Sequence, residues 1–261
     1  MESTNWLKQT NKPLFEDMLW SRPENKRFAG KLVIIGGHKQ SFNDVSDAYA
    51  AALKAGVGTA RVLLPQALQP MLKSVFLEAE YAPSNKIGSF SRDALAAWLE
   101  AAEWADGVLL AGDFGRNSET AVLLEGFIEK YDGLLTVAGD SLDYFLKDSE
   151  NLLGRYNTVI TAAVDKLQKL AVPGAVIRQQ DGLVQIVNKL SIFTDENKAS
   201  FITFHAGNII VANGGRASTT PANNINQADT AAYAAVWLLQ QPQKTFEALT
   251  TAVFCGAHDQ Q

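Results

Sequence analysis

From residue 31 to residue 171 the chain alternates between short apolar runs, most of them ended by glycine or proline, and segments with apolar residues at helical spacing. The runs "KLVIIGG" (31–37), "TARVLLP" (59–65), "GVLLAG" (107–112), "GLLTVAG" (133–139) and "TVITAA" (158–163) are short and almost wholly apolar. They read as strands covered on both faces rather than on one. Between them Val45, Ala48, Tyr49, Ala52 and Leu53 mark one helix face, closed by the glycines of "AGVG" (55–58). Leu95, Trp98, Leu99 and Ala102 mark another, and further helices are predicted over 118–130, 141–146 and 164–171. Strands joined by helices of this length run parallel. The class that follows is α/β: a three-layer αβα sandwich, its mostly parallel central sheet covered by helices on both faces. With no repeat, low-complexity tract or linker, residues 1–261 are expected to form a single domain. Residues 1–24, with the apolar "LFEDMLW" (14–20), make an N-terminal extension that packs on this domain or on a neighbouring subunit.

The last third reads differently. "AVIRQQDGLVQIVN" (175–188) sets Asp-Gly between two β-rich runs and predicts a hairpin. "SFITFHAGNIIVANGG" (200–215) holds two more strands around "HAGN", so antiparallel strands join the sheet late. A helix then covers 229–240. Between them "ASTTPANNINQ" (217–227) is a long polar loop, expected to fold over the site. In an open parallel sheet ligands sit at the C-terminal strand ends, which selects the loops 36–44, 111–117, 138–142, 161–165 and 205–229.

Bulk properties narrow the partners. The net charge is −5 with no basic block, which argues against nucleic acid, although local backbone dipoles can still hold a phosphate. No apolar run approaches the ~20 residues a membrane span needs. The start "MESTNWLKQTNK" has no signal-peptide core. The single cysteine, Cys255, excludes an intramolecular disulfide and cysteine-built metal clusters, and fits a reducing cytoplasm. Cys255 and His258 lack a third ligand, so no metal centre is assigned.

"IIGGHKQSFND" (34–44) lacks the G-x-G-x-x-G spacing and reads as a simple turn. Taken with "NKRFAGKLVIIGG" (25–37), "AAALKAGVGTARVLLP" (50–65), "AGDFGRNSET" (111–120), "AGDSLDYF" (138–145) and "ADTAAYAAVWLLQ" (228–240), in that order, it resembles the ADP/ATP-dependent NAD(P)H-hydrate dehydratases of the ribokinase-like superfamily. The resemblance runs from about residue 22 to the end. Lys26 and Gly30 match the family's H-K-G-x-x-G, Gly115 and Arg116 the end of its G-P-G-L-G-R, and Asp140 and Leu142 its D-A-D-x-L. Asp229 stands at the aspartate of G-T-G-D. The departures are Asn226 and Ala228 for that motif's glycines, Ala163 for the histidine of T-P-H-P, His205 for the lysine of the K-G strand end, and Asn43 for a glycine of the first loop.

The resemblance implies a ribokinase-like fold and a reaction in which ADP or ATP, with Mg²⁺, phosphorylates the hydroxyl of hydrated NADH or NADPH and elimination restores the cofactor. It also implies self-association. Asp229 is then the candidate base, with nucleotide contacts from Asn226, Gln227, Ala228 and His205, and substrate contacts from Asn43, Asp44, Gly115, Arg116 and Asp140. Each has a plainer alternative. Asp229 can cap its helix, which is worth about 1 kcal/mol. "FND" (42–44) can be a turn and a cap, Arg116 a solvated side chain, and His205 a hydrogen-bonded structural histidine. Asp113 either joins Asp140 on Mg²⁺ or is a solvated turn residue. Loss of the two glycines weakens the expected phosphate cradle, because close backbone approach is what glycine permits. Two other functions stay open: a kinase for a sugar- or vitamin-like alcohol, and a nucleotide-binding descendant without turnover.

Overall fold

The computed structural model describes residues 5–170, 177–223 and 226–259. Its strands are β1 (Trp6–Lys8), β2 (Lys31–Gly36), β3 (Thr59–Pro65), β4 (Ala79–Ala82), β5 (Gly107–Ala111), β6 (Leu134–Ala138), β7 (Thr158–Thr161), β8 (Ser200–His205), β9 (Asn208–Asn213) and β10 (Arg216–Pro221). They form one sheet in the order β1-β10-β9-β8-β7-β6-β5-β2-β3-β4. From β8 across to β4 every neighbouring pair is parallel, whereas β9 runs antiparallel to both β8 and β10.

Strand alternation divides the core in two. Val33, Ile35, Val108 and Leu110 pack on one side with Trp98, Phe127 and Leu190. Leu32, Ile34 and Leu109 face the other way, toward Val45, Ala48, Ala231 and Trp237. The first side is covered by the helices Leu95–Trp104, Ser118–Lys130 and Leu183–Glu196. The second is covered by Asn43–Lys54, Gln227–Gln240 and Thr245–His258. The helix Gln227–Gln240 packs against both of its helical neighbours as well as the sheet. Its small residues Ala231, Ala232 and Ala234 permit that close approach, and residues 230–238 are all buried.

Three expectations are corrected, and for the N-terminal segment the structure shows packing on its own domain. The segment around Asp181-Gly182 is no hairpin: Leu183–Glu196 is a helix that buries Ile186, Val187, Leu190 and Phe193; residues 175–176 lie outside the described residues. Asp181 and Gly182 start this helix. Asp181 Oδ2 accepts from the Arg178 amide at 2.7 Å and pairs with Lys189 at 2.6 Å, while the Gly182 amide donates to Gln185 Oε1 at 3.1 Å. Second, the polar 217–227 stretch is strand as far as Pro221, and Ser218, Thr219 and Thr220 are buried; residues 224–225 of it lie outside the described residues. Third, the last strand-following helix is short, Val164–Leu167, and position 171 lies outside the described residues. The N-terminal segment belongs to the sheet: β1 pairs parallel with β10, and Met18 is fully buried against the body of the protein.

Candidate active site

The turns that follow β2, β5 and β6 and the start of the helix Gln227–Gln240 converge on a cleft of about 390 Å³. Asp44 enters it from the helix after β2, Gly112 from the turn after β5, Gly139 and Asp140 from the turn after β6. Asn226, Gln227 and Ala228 close its far wall. The position is the crevice at the C-terminal ends of the parallel strands. Gly112 adopts φ +76, and a Cβ there would lie 2.8 Å from the Asp44 Cβ, so the turn after β5 and the helix after β2 meet only because the position is bare. Gly139 (φ +66) would meet nothing closer than 3.9 Å, leaving backbone open beside Asp140.

The helix start settles the capping question. Asn226 has extended backbone (φ −101, ψ 122) and is the N-cap, so Asp229 is the third residue of the helix and does not cap it. The Asn226 Oδ1 accepts from the Ala228 amide at 2.9 Å and the Asp229 amide at 3.3 Å. Its Nδ2 donates to Asp47 Oδ2 at 3.4 Å. Asp229 lines a second cavity of about 200 Å³, next to the cleft, together with Asp47, Lys54, Tyr233 and Asp259. Partial burial pushes the Asp229 carboxyl above the usual aspartate value, the Asp47 charge pushes the same way, and Lys54 opposes both. The Tyr233 hydroxyl donates to Asp259 Oδ2 at 2.5 Å; burial, then that bond, raises its pKa.

The cleft is acidic. The Asp44 side chain keeps contact with solvent, yet partial burial of its carboxyl, followed by the charges of Asp140, Asp47 and Asp113, raises its pKa. Asp140 is held by Lys166, whose Nζ lies 2.5 Å from Asp140 Oδ1 and 2.6 Å from Asp143 Oδ1. Burial works to lower the Lys166 pKa, but the hydrogen bonds to Asp140 and Asp143 outweigh it and leave it raised. Arg116, largely exposed, pairs with Asp143 Oδ2 at 3.1 Å. Asp113 is occupied within its own turn, accepting from the Gly115 amide at 2.7 Å and lying 3.1 Å from His38 Nε2. Its side chain is about a third exposed, and it does not line the cleft.

Of the residues selected from sequence, Asp44, Asp140, Asn226, Gln227 and Ala228 come together at the cleft, and Asp229 lies beyond Asn226. Gly115 packs against Ser89 and His38, and Asn43 is the exposed first residue of the helix Asn43–Lys54. His205 ends β8 and is not among the residues lining the cleft. Sequence reasoning passes over Gly139 as a strand terminator and misses Lys166. The only signal for Lys166 is its place just past the "TAAV" segment (161–164).

A phosphate chain carrying Mg²⁺ fits the strand-end side of this cleft. Asp44 and Asp140 offer oxygen ligands, and Gly112 and Gly139 leave room for close approach. Among the described residues no group of three or more His, Cys, Asp or Glu side chains can hold a metal by itself, so the phosphates would have to complete the coordination. At the helix start the Asn226 side chain already uses two of the amide donors.

No family model matches the chain. It is 26% identical over 162 residues to a bifunctional NAD(P)H-hydrate repair enzyme from Moorella thermoacetica, a match covering 61% of this chain and 31% of that protein. The chain thus spans about a third of the curated relative it matches. Among solved structures it superposes on a ribokinase-like superfamily protein from Enterococcus faecalis with TM-score 0.74 at 16% identity, covering 99% of this chain and 88% of that one. It also superposes on an ADP/ATP-dependent NAD(P)H-hydrate dehydratase from Bacillus subtilis, co-crystallized with ATP/Mg²⁺, with TM-score 0.65 at 13% identity, covering 96% and 89%. The fold is ribokinase-like, and the resemblance carried by the loops agrees with these relatives. Among the described residues no helix is long and apolar enough to cross a membrane.

Proposed function

We propose that this chain, a divergent relative of the NAD(P)H-hydrate dehydratases, uses ADP or ATP with Mg²⁺ to dehydrate hydrated NADH or NADPH. The observation that carries the reading is the convergence of three segments, distant in sequence, on one cleft: Asp44, Asp140 and the 226–228 helix start. In this reading Asp44 and Asp140 hold the cation, and the Gly112 and Gly139 backbone lets the phosphates approach. The Gln227 end of the helix dipole stabilises their charge. The nucleotide, when bound, supplies the phosphoryl group that makes the hydroxyl a leaving group. Asp229 takes the hydroxyl proton; its raised pKa makes it a stronger base than an ordinary aspartate. Little else is asked of the protein than placement and charge stabilisation.

A second reading has its own observation. Asp229 opens on the neighbouring cavity rather than on the cleft, which favours nucleotide binding without turnover. Incubation with hydrated NADH, Mg²⁺ and ADP or ATP, followed at the nicotinamide absorbance, separates the two. Recovery that depends on nucleotide supports the dehydratase. Thermal stabilisation by nucleotide with no recovery supports the second reading. Transfer of phosphate from ATP to a sugar or vitamin-like alcohol, with no effect on the hydrate, would make the protein a small-molecule kinase.

A further inference from the structure

Asn226 does three things at once. Its Oδ1 holds the Ala228 and Asp229 amides, at 2.9 and 3.3 Å. Its Nδ2 reaches the Asp47 carboxylate at 3.4 Å. Among the described residues it alone lines both the cleft and the neighbouring cavity that holds Asp229. A phosphate oxygen seated on the Ala228 and Asp229 amides would compete for them with the Asn226 side-chain oxygen.

We propose that Asn226 is a latch on the nucleotide site. Phosphate reaches the helix start only when the Asn226 side chain swings off its own amides, and the same swing removes the wall between the cleft and Asp229. The inference rests on the nucleotide reading given above and adds how that site opens. A site that must first break an internal contact binds with an apparent affinity reduced by the fraction of open molecules. For an asparagine cap that fraction is about one in five to one in ten. The backbone at 226 is extended, so alanine and glycine are both accommodated without strain.

The test is calorimetric titration of Mg·ADP and Mg·ATP into the wild-type chain, Asn226→Ala, Asn226→Gly and Asn226→Asp, with hydrogen exchange of the free proteins. Ala and Gly variants are expected to bind about five- to tenfold more tightly, with faster exchange at the Ala228 and Asp229 amides. The Asp variant, which keeps the acceptor and adds charge, is expected to bind more weakly than wild type. Ala and Gly variants that bind no more tightly than wild type overturn the latch and leave the nucleotide site standing. A structure of the Mg·ADP complex with Asn226 still bonded to both amides does the same. Absence of binding in every variant at millimolar nucleotide overturns the site itself, and the latch with it.

Discussion

Replacing Lys166 with methionine removes the cation that pairs with Asp140 of the cleft. Lys166 Nζ contacts Asp140 at 2.5 Å and Asp143 at 2.6 Å, with side-chain exposures of 17% for the lysine, 43% for Asp140 and 22% for Asp143. At these separations each contact has a gross attraction of about 6 kcal/mol at an effective dielectric of about 20. Desolvation takes back several kcal/mol per ion. An exposed pair nets about 1 kcal/mol or less, and breaking a buried one costs about 3–5, so this half-buried pair of contacts should cost about 2 kcal/mol when lost. For a chain of this size that lowers Tm by about 4–8 °C. Scanning calorimetry at pH 7 and low salt measures it. The sign with pH is also fixed. The folded-state pKa of Lys166 is raised above the ordinary 10.5, so its stabilisation is fully present below that value and is lost as pH rises through the folded pKa. The wild-type advantage should therefore stay constant between about pH 6 and 9 and shrink above 10.5. A Tm difference under about 1 °C, or one abolished by moderate salt, would show that Lys166 is a solvated surface charge and that the cleft is balanced by something else.

Four other substitutions test the remaining structure. Asp229→Asn should stabilise the protein at pH 7, since a raised carboxyl pKa penalises the folded state above it. That gain should close as pH falls toward 3.8, while turnover of hydrated NADH drops by about 100-fold or more; intact turnover would remove Asp229 from the reaction. Gly112→Ala should cost about 1–2 kcal/mol, from its φ of +76 and the 2.8 Å approach to the Asp44 Cβ, and should weaken Mg·ADP binding. Urea denaturation detects the first and calorimetry the second. Leu190→Ala, at a fully buried site, should cost about 3 kcal/mol, whereas Val184→Lys on the exposed face of the same helix should stay within about 0.5. Comparable costs at both sites would contradict the helix Leu183–Glu196.

The five inner parallel strands were legible because burial on both faces forces near-continuous apolar runs, as in Lys31–Gly36 and Gly107–Ala111. Other elements hide for particular reasons. Asp181-Gly182 is equally a hairpin turn and the approach to a helix, and the Arg178, Gln185 and Lys189 partners that decide between them are local contacts no periodicity reveals. "RASTTP" (216–221) looks like loop because its side chains are polar. They are buried against partners far away in the chain: Ser218 with Thr250 at 2.8 Å, Thr219 with the Trp6 indole at 3.1 Å, and Thr220 with Gln9 at 2.7 Å. The Trp6 and Gln9 contacts also bind the N-terminal segment to the sheet, and three residues of β1 are too few to show a strand pattern. In the site, the order of the loops was readable but the partner of Asp140 was not, because Lys166 reaches it from the short helix after the next strand.

The helix start shows why a polar residue before an apolar helix is hard to read. A difference of three residues in where the helix begins moves the cap from Asp229 to Asn226 and changes what both can do. With Asn226 as the N-cap, Asp229 is the third helical residue and stands in a partly buried acidic pocket where its pKa rises. A glycine at 226 would bring no side chain, so the Ala228 and Asp229 amides would remain for a ligand. An asparagine brings its own acceptor and spends both amides on the helix. Stability of this helix and affinity for an anion at its start therefore draw on the same two hydrogens, and whatever is gained in one is withheld from the other until the side chain moves.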